Sequence, residues 1–357
     1  MNFHLVSDNP VYIDHFIESA EKLSDKRNCY VLISPKKKEN IKSNKVLQFD
    51  LDQALSLFRK DKFNKVFIHY LNNKAISFID KIDKNIPVYW FFWGADGYKH
   101  PKLQKSLYLP ETKNIVDELF PKKGIDQIKK KYRDFKISQK LNRAFLRIDY
   151  CCTQVKGDFD LIKSISPTCK MHHLYFAYGG IDNVNYKKSN KVTNKKFNIL
   201  LGNSANPSNN HLDILHILSG YTANIEKIIC PLSYSGPKDY INQVILKGEF
   251  YFGEKFYPLI EFLPLNEYET MMDTIDIGVF YHSRQQAYSN TIMILGQGKK
   301  ILMNPKSTLY DMYLDFGIKN VYSDFGVLLD SSIIEDNKLQ ERLGAKIIDD
   351  WYNNLLN

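Results

Sequence analysis

Phe197-Asn198-Ile199-Leu200-Leu201-Gly202-Asn203-Ser204-Ala205-Asn206-Pro207-Ser208-Asn209-Asn210-His211 decides how the chain is read. A short apolar run ends in glycine, and an Asn/Ser-rich turn then leads into apolar residues at helical spacing, so a strand is predicted to run into a helix. Just upstream, Gly179-Gly180 and the Lys/Asn-rich stretch from Asp182 to Lys196 hold almost no apolar residues and read as a linker. Before that linker, β-branched and aromatic runs at Phe3 to Val6, Tyr30 to Ile33, Val66 to His69 and Val88 to Phe92 alternate with helical spacings such as Tyr12-Phe16-Ala20-Leu23. After it the alternation restarts, with strands at Lys227 to Pro231, Ile277 to Tyr281 and Lys300 to Met303. Strand and helix in turn mean an α/β fold with parallel sheets wrapped by helices. The expected layout is two doubly wound domains, 1–180 and 197–334, joined by a linker at 181–196 and followed by a terminal helix over 335–357.

Length agrees, since 357 residues exceed one ordinary domain. With 44% hydrophobic residues, 22 Phe and 23 Tyr, the chain can bury a sizeable core. Its longest apolar stretch, Val88 to Trp93, is far short of a membrane span, and Met1 to Asp8 carry no secretory signal, which points to the cytoplasm. Five cysteines without a C-x-x-C pair read as buried apolar residues rather than disulfides or a zinc site. A net charge of +9 favours an anionic partner: a nucleic acid, a phosphorylated ligand or an anionic lipid surface.

No G-x-G-x-x-G follows the first strand, and no P-loop, G-x-S-x-G or H-E-x-x-H occurs, which removes the common dinucleotide oxidoreductases, P-loop enzymes, hydrolases and zinc peptidases. The two D-x-D triplets, Asp50-Leu51-Asp52 and Asp158-Phe159-Asp160, are no more than chance gives. Three strand ends remain. Trp93-Gly94-Ala95-Asp96-Gly97-Tyr98 closes an aromatic strand, and at the carboxyl end of a doubly wound strand Asp96 either faces a ligand or caps a turn. Gly202-Asn203-Ser204 occupies the same place in the second domain, suited to a diphosphate or sugar hydroxyl, or to a turn with a helix N-cap. Arg284 and Gln285, followed by Ser289, Asn290 and Thr291 at a helix start, form the strongest phosphate signal, because guanidinium and helix dipole both favour an anion.

At these places the sequence resembles the bacterial TDP-4-acetamido-4,6-dideoxygalactose (Fuc4NAc) transferases, which act on lipid-linked oligosaccharide in enterobacterial common antigen synthesis. The resemblance is carried by Trp93-Gly94-Ala95-Asp96 with Tyr98, Gly202-Asn203-Ser204 with Ser208-Asn209 and His211, Pro231 with Tyr234 and Tyr240, Glu261 with Tyr268, and Arg284-Gln285-Gln286 with Thr291. It departs from the family at Ala287-Tyr288-Ser289-Asn290, where glycines are expected. The resemblance implies a GT-B glycosyltransferase: two Rossmann-like doubly wound domains facing a cleft, a nucleotide-diphosphate sugar held by the second, and a lipid-linked saccharide or other glycan acceptor held by the first. Bacterial surface polysaccharide, O-antigen included, is the implied product class.

On that basis Gly202, Asn203, Ser204, Tyr234, Glu261, Arg284, Gln285, Ser289, Asn290 and Thr291 bind the donor, Trp93, Gly94 and Tyr98 lie on the acceptor side, and Asp96 is the first choice as general base. No metal or other cofactor is expected, since Arg284 and the helix start can absorb the leaving diphosphate's charge. Two other readings are a sugar-nucleotide epimerase or hydrolase of the same architecture and a basic nucleic-acid-binding protein; no known nucleic-acid module is present. Between Pro121 and Arg147, ten basic residues face two acidic ones and interleave with Ile128-Tyr132-Phe135 and Ile137-Leu141-Phe145. That pattern is either a domain helix with a solvated basic side or a peripheral anchor on the inner, cytoplasmic leaflet of the cell membrane.

Overall fold

Alternation along Asn2-Phe3-His4-Leu5 organises the first sheet, because successive side chains of a strand point to opposite faces. Phe3 stacks on Phe78 at 5.1 Å and meets Phe58 and Phe63 edge-on, while His4 turns to the other face beside Tyr30 and Phe67. The computed structural model describes residues 1–7, 10–23, 26–34, 41–104, 107–121, 124–176 and 196–330. In it β1 (Asn2–Leu5), β2 (Asn28–Ile33), β3 (Val46–Phe49), β4 (Lys65–Ile68), β5 (Val88–Phe91), β6 (Tyr150–Cys152) and β7 (His172–Leu174) pair in parallel in the order β3-β2-β1-β4-β5-β6-β7.

The second sheet repeats this plan. Its strands are β8 (Phe197–Leu201), β9 (Ile225–Pro231), β10 (Phe256–Leu259), β11 (Ile277–Phe280), β12 (Lys300–Met303) and β13 (Val321–Tyr322), all parallel in the order β10-β9-β8-β11-β12-β13. Both sheets therefore reverse direction of growth beside their first strand, between β1 and β4 and between β8 and β11, the place where doubly wound sheets bind ligands. The expected strands at 227–231, 277–281 and 300–303 are present, while β3, β10 and β13 were not expected. β10 reads poorly as a strand because it contains Pro258, which is tolerated at this edge, where only β9 is a neighbour.

One domain boundary differs from the sequence reading. Lys105–Ile128, expected in the first domain, belongs to the second compact unit, and the first resumes at Lys129. The reason is an anion at a helix start: Asp213 accepts from the N–H groups of Glu111 and Thr112 at 2.8 and 2.9 Å, in the first turn of helix Pro110–Leu119. Ile115, Val116 and Leu119 of that helix then pack on the second core. The linker expected at 181–196, apart from Lys196, and the terminal helix expected at 335–357 lie outside the described residues.

The basic helix spans Ile125–Arg147, and its two halves differ in burial. Leu141, Ala144 and Phe145 are buried in the first core, with Ile137 packed against it. Ile125, Ile128, Tyr132 and Phe135 instead form an exposed strip at helical spacing, between 57% and 69% accessible. Among the described residues no helix is long and apolar enough to cross a membrane.

Candidate functional site

After β8 the chain turns at Gly202 with φ of 73°, a conformation that disfavours side chains. A Cβ there would lie 2.6 Å from Asn209 Oδ1 and 3.1 Å from His211 Nε2, so glycine lets both side chains close beneath the turn. Asn209 is the keystone. Its Oδ1 accepts from Asn203 N at 3.0 Å and from His282 Nε2 at 2.7 Å, while its Nδ2 donates to the carbonyls of Ser204 and Asn206, both at 2.9 Å. Burial, followed by the charge of Arg284, holds His282 well below the ordinary histidine value, which keeps it neutral with Nε2–H as donor. His211 is buried against the Tyr240 hydroxyl at 3.1 Å, and desolvation lowers it to about 3 against an opposing bond to the Ser204 backbone.

From this turn a polar chain runs to the end of β11. Asn203 Oδ1 accepts from Gln286 Nε2 at 2.9 Å, and Gln286 Oε1 accepts from Ser208 Oγ at 2.8 Å and from Arg284 Nε at 3.1 Å. A terminal nitrogen of Arg284 lies 3.4 Å from Ser208 Oγ. The guanidinium is thus oriented by side chains from both strand ends that flank the switch between β8 and β11. Four residues later helix Tyr288–Gly296 begins after Ala287 in the left-handed region, and Ser289 and Asn290 supply first-turn amides without intrahelical acceptors. Gln285 is half-buried on the same loop, and Tyr108, from the segment that joins this unit, feels the charge of Arg284.

Thr291 differs from expectation. Its N–H bonds to Ala287 O at 3.0 Å, and its buried hydroxyl engages Tyr288 O at 2.8 Å and the Tyr313 hydroxyl at 2.6 Å, so it builds the helix start instead of meeting a donor. Ser204 is likewise buried, its carbonyl and hydroxyl both facing Asn209. Tyr234 lies at the other end of the chain of bonds, its hydroxyl accepting from Asn203 Nδ2 at 3.3 Å. Tyr268 bonds Asn290, and burial pushes its hydroxyl up to about 12, so it stays protonated. Glu261 is exposed after β10 and stands outside the network.

The structure brings most of the expected donor residues together and also shows partners the sequence reading left out of the donor set: Ser208, Asn209, His282, Gln286 and Tyr108. Ser208, Asn209 and Gln286 already stood in the quoted motifs; Tyr108 left no local signal, because only tertiary packing brings it to this unit.

In the first domain, two of the expected residues, Asp96 and Tyr98, are buried. Asp96 is fully buried, and its carboxylate is bonded within its own domain. Its Oδ2 accepts from Leu71 N at 3.0 Å and Trp90 Nε1 at 2.7 Å, its Oδ1 from Trp93 N at 3.0 Å. Burial raises its pKa despite these donors, and the bond from Trp93 N ties the carboxylate to the Trp93-Gly94 turn, where Gly94 has φ of 85°. Tyr98 is buried too, its hydroxyl donating to Asp158 Oδ1 at 2.8 Å, which leaves Trp93 as the partly exposed member of the expected acceptor set. A cavity of about 280 Å³ lies instead at the carboxyl ends of β1 and β2, lined by Ser7, Ser34, Tyr70, Asn72 and Lys74 among others.

A family model described as 4-alpha-L-fucosyltransferase glycosyl transferase group 56 matches residues 126–340. Among solved structures, a glycosyltransferase from Rickettsia africae superposes with a TM-score of 0.60 at 10% identity, covering 98% of this chain and 93% of that one. The apo form of WaaB, a lipopolysaccharide outer core galactosyltransferase, gives 0.59 at 10% identity over 100% and 96% of the two chains. Apo OtsA gives 0.59 at 10% identity over 99% and 96%. At these identities the likeness is one of fold, and that fold is GT-B, α/β with two Rossmann-like domains.

Proposed function

Because this chain belongs to glycosyl transferase group 56 and is a glycosyltransferase, we propose that it moves a deoxy- or amino-sugar of the Fuc4NAc type from a nucleoside-diphosphate donor to a lipid-linked saccharide in bacterial surface polysaccharide synthesis. The carrying observation is Arg284, oriented by Ser208 and Gln286 and followed by the open amides of Ser289 and Asn290. A cation and a helix N-terminus at one strand end stabilise the charge that grows on a leaving diphosphate, a role that calls on no metal ion. Gly202 and Asn203 form the floor of the donor site, with Glu261 offering an acceptor to nucleotide or sugar hydroxyls. The acceptor saccharide is assigned to the first-domain cavity at Ser7, Asn72 and Lys74.

A lipid-linked acceptor also accounts for the exposed strip of helix Ile125–Arg147. Ile128, Tyr132 and Phe135 with Lys129, Lys131 and Lys136 suit an anionic leaflet, which supports reading the enzyme as a peripheral protein of the inner face of the cell membrane. The donor assignment is tested by titrating UDP or TDP into parent and Arg284→Ala protein. Loss of a phosphate-pairing Arg should weaken binding roughly ten- to a hundredfold, and unchanged affinity would remove Arg284 from the diphosphate site.

A further inference from the structure

The loop after β10 holds apolar side chains that its domain leaves outside the core. Phe262 is 80% exposed, with Ile260 and Leu265 exposed beside it. Its ring stands against that of Tyr234, centroids 6.5 Å apart and planes at 65°. Tyr234 is itself 46% exposed, yet its hydroxyl is tied down by Asn203 Nδ2. Two rings set steeply to each other, one of them anchored, form a corner that can stack one face of a flat ring and line its edge. Through Asn203 and Gln286 this corner is continuous with Arg284. The site is thus apolar and aromatic at one end and cationic at the other, the same polarity as a nucleoside diphosphate.

We propose that Tyr234 and Phe262 form the platform on which the nucleobase of the donor stacks. This rests on the nucleotide-sugar reading above and adds Phe262 to the binding residues. Stacking tolerates any base, because every base has a π-face, so the corner supplies affinity while leaving the choice of nucleotide to edge contacts.

The test uses the full chain with UDP and TDP as probes. Phe262→Ala should bind them roughly 5- to 150-fold more weakly than the parent, the range that loss of one base–aromatic stack gives. Phe262→Trp should keep parental affinity, and saturating nucleotide should change the emission of the added indole. Parental affinity in Phe262→Ala, or an emission in Phe262→Trp indifferent to bound nucleotide, overturns the platform while the donor reading stands. A parent chain that binds no nucleoside diphosphate overturns both.

Discussion

Replacing Asn209 by alanine removes one side chain and five hydrogen bonds: to Asn203 N, His282 Nε2, the carbonyls of Ser204 and Asn206, and the Ser204 hydroxyl at 3.3 Å. His282 and Ser204 are buried, so water does not readily replace the lost partner. At about 0.5 to 1 kcal/mol net for each of the four stronger bonds, raised where a buried donor is orphaned, the second domain should lose about 3 to 4 kcal/mol. Hydrogen exchange reads this domain by domain. Amides of β8 and β11 that exchange through unfolding of their domain should lose roughly 100- to 1,000-fold in protection, while β1 and β4 are unchanged. Asn209→Asp refines the test. The carboxylate still accepts from Asn203 and His282 but sets oxygen against the two carbonyls. It also raises the His282 pKa relative to the parent, so the stability gained from charging His282 is present at low pH and lost as pH rises. The deficit of Asn209→Asp should therefore shrink on acidification. A protection change below about threefold in Asn209→Ala would refute the keystone role, since it is smaller than one such bond is worth.

Asp96→Asn should destabilise the first domain by about 2 to 3 kcal/mol, because an amide nitrogen would face a donor among Leu71 N, Trp90 Nε1 and Trp93 N. Turnover per folded molecule should survive; a folded Asp96→Asn slowed by about 10² to 10⁴ would reinstate it as general base. His4, buried 3.1 Å from His69, has its pKa lowered by desolvation from 6.5 to about 3. Its folded value is depressed, so the stability of the neutral ring is intact above the unfolded value and is lost as pH falls from 6.5 toward 3. About 2 kcal/mol should vanish between pH 7 and pH 5, and urea unfolding of His4→Gln should show a flatter slope. Changing Lys129, Lys130, Lys131 and Lys136 together to Gln should abolish salt-sensitive co-sedimentation with anionic vesicles; equal binding to neutral vesicles by the parent would dismiss the leaflet contact.

The sequence by itself determined the two parallel α/β sheets and the strand ends at Gly202 and Arg284 that the fold brings side by side. Short apolar runs followed by Gly, Asn and Ser are local signals, and the backbone at Gly202 or Ala287 obeys them wherever the chain is placed. Periodicity also flagged helix Ile125–Arg147, but only burial showed that Leu141 and Phe145 enter the core while Tyr132 and Phe135 do not. The attachment of Lys105–Ile128 to the second unit depends on Asp213, about a hundred residues away, and so could not be read locally. The inward orientation of Asp96 has the same origin. A carboxylate after an aromatic strand looks alike in sequence whether it faces a ligand or its own domain. Leu71 N and Trp90 Nε1 converge on it only once β4 and β5 lie side by side, and with three donors fixed inside the core the inward orientation is the lower in free energy.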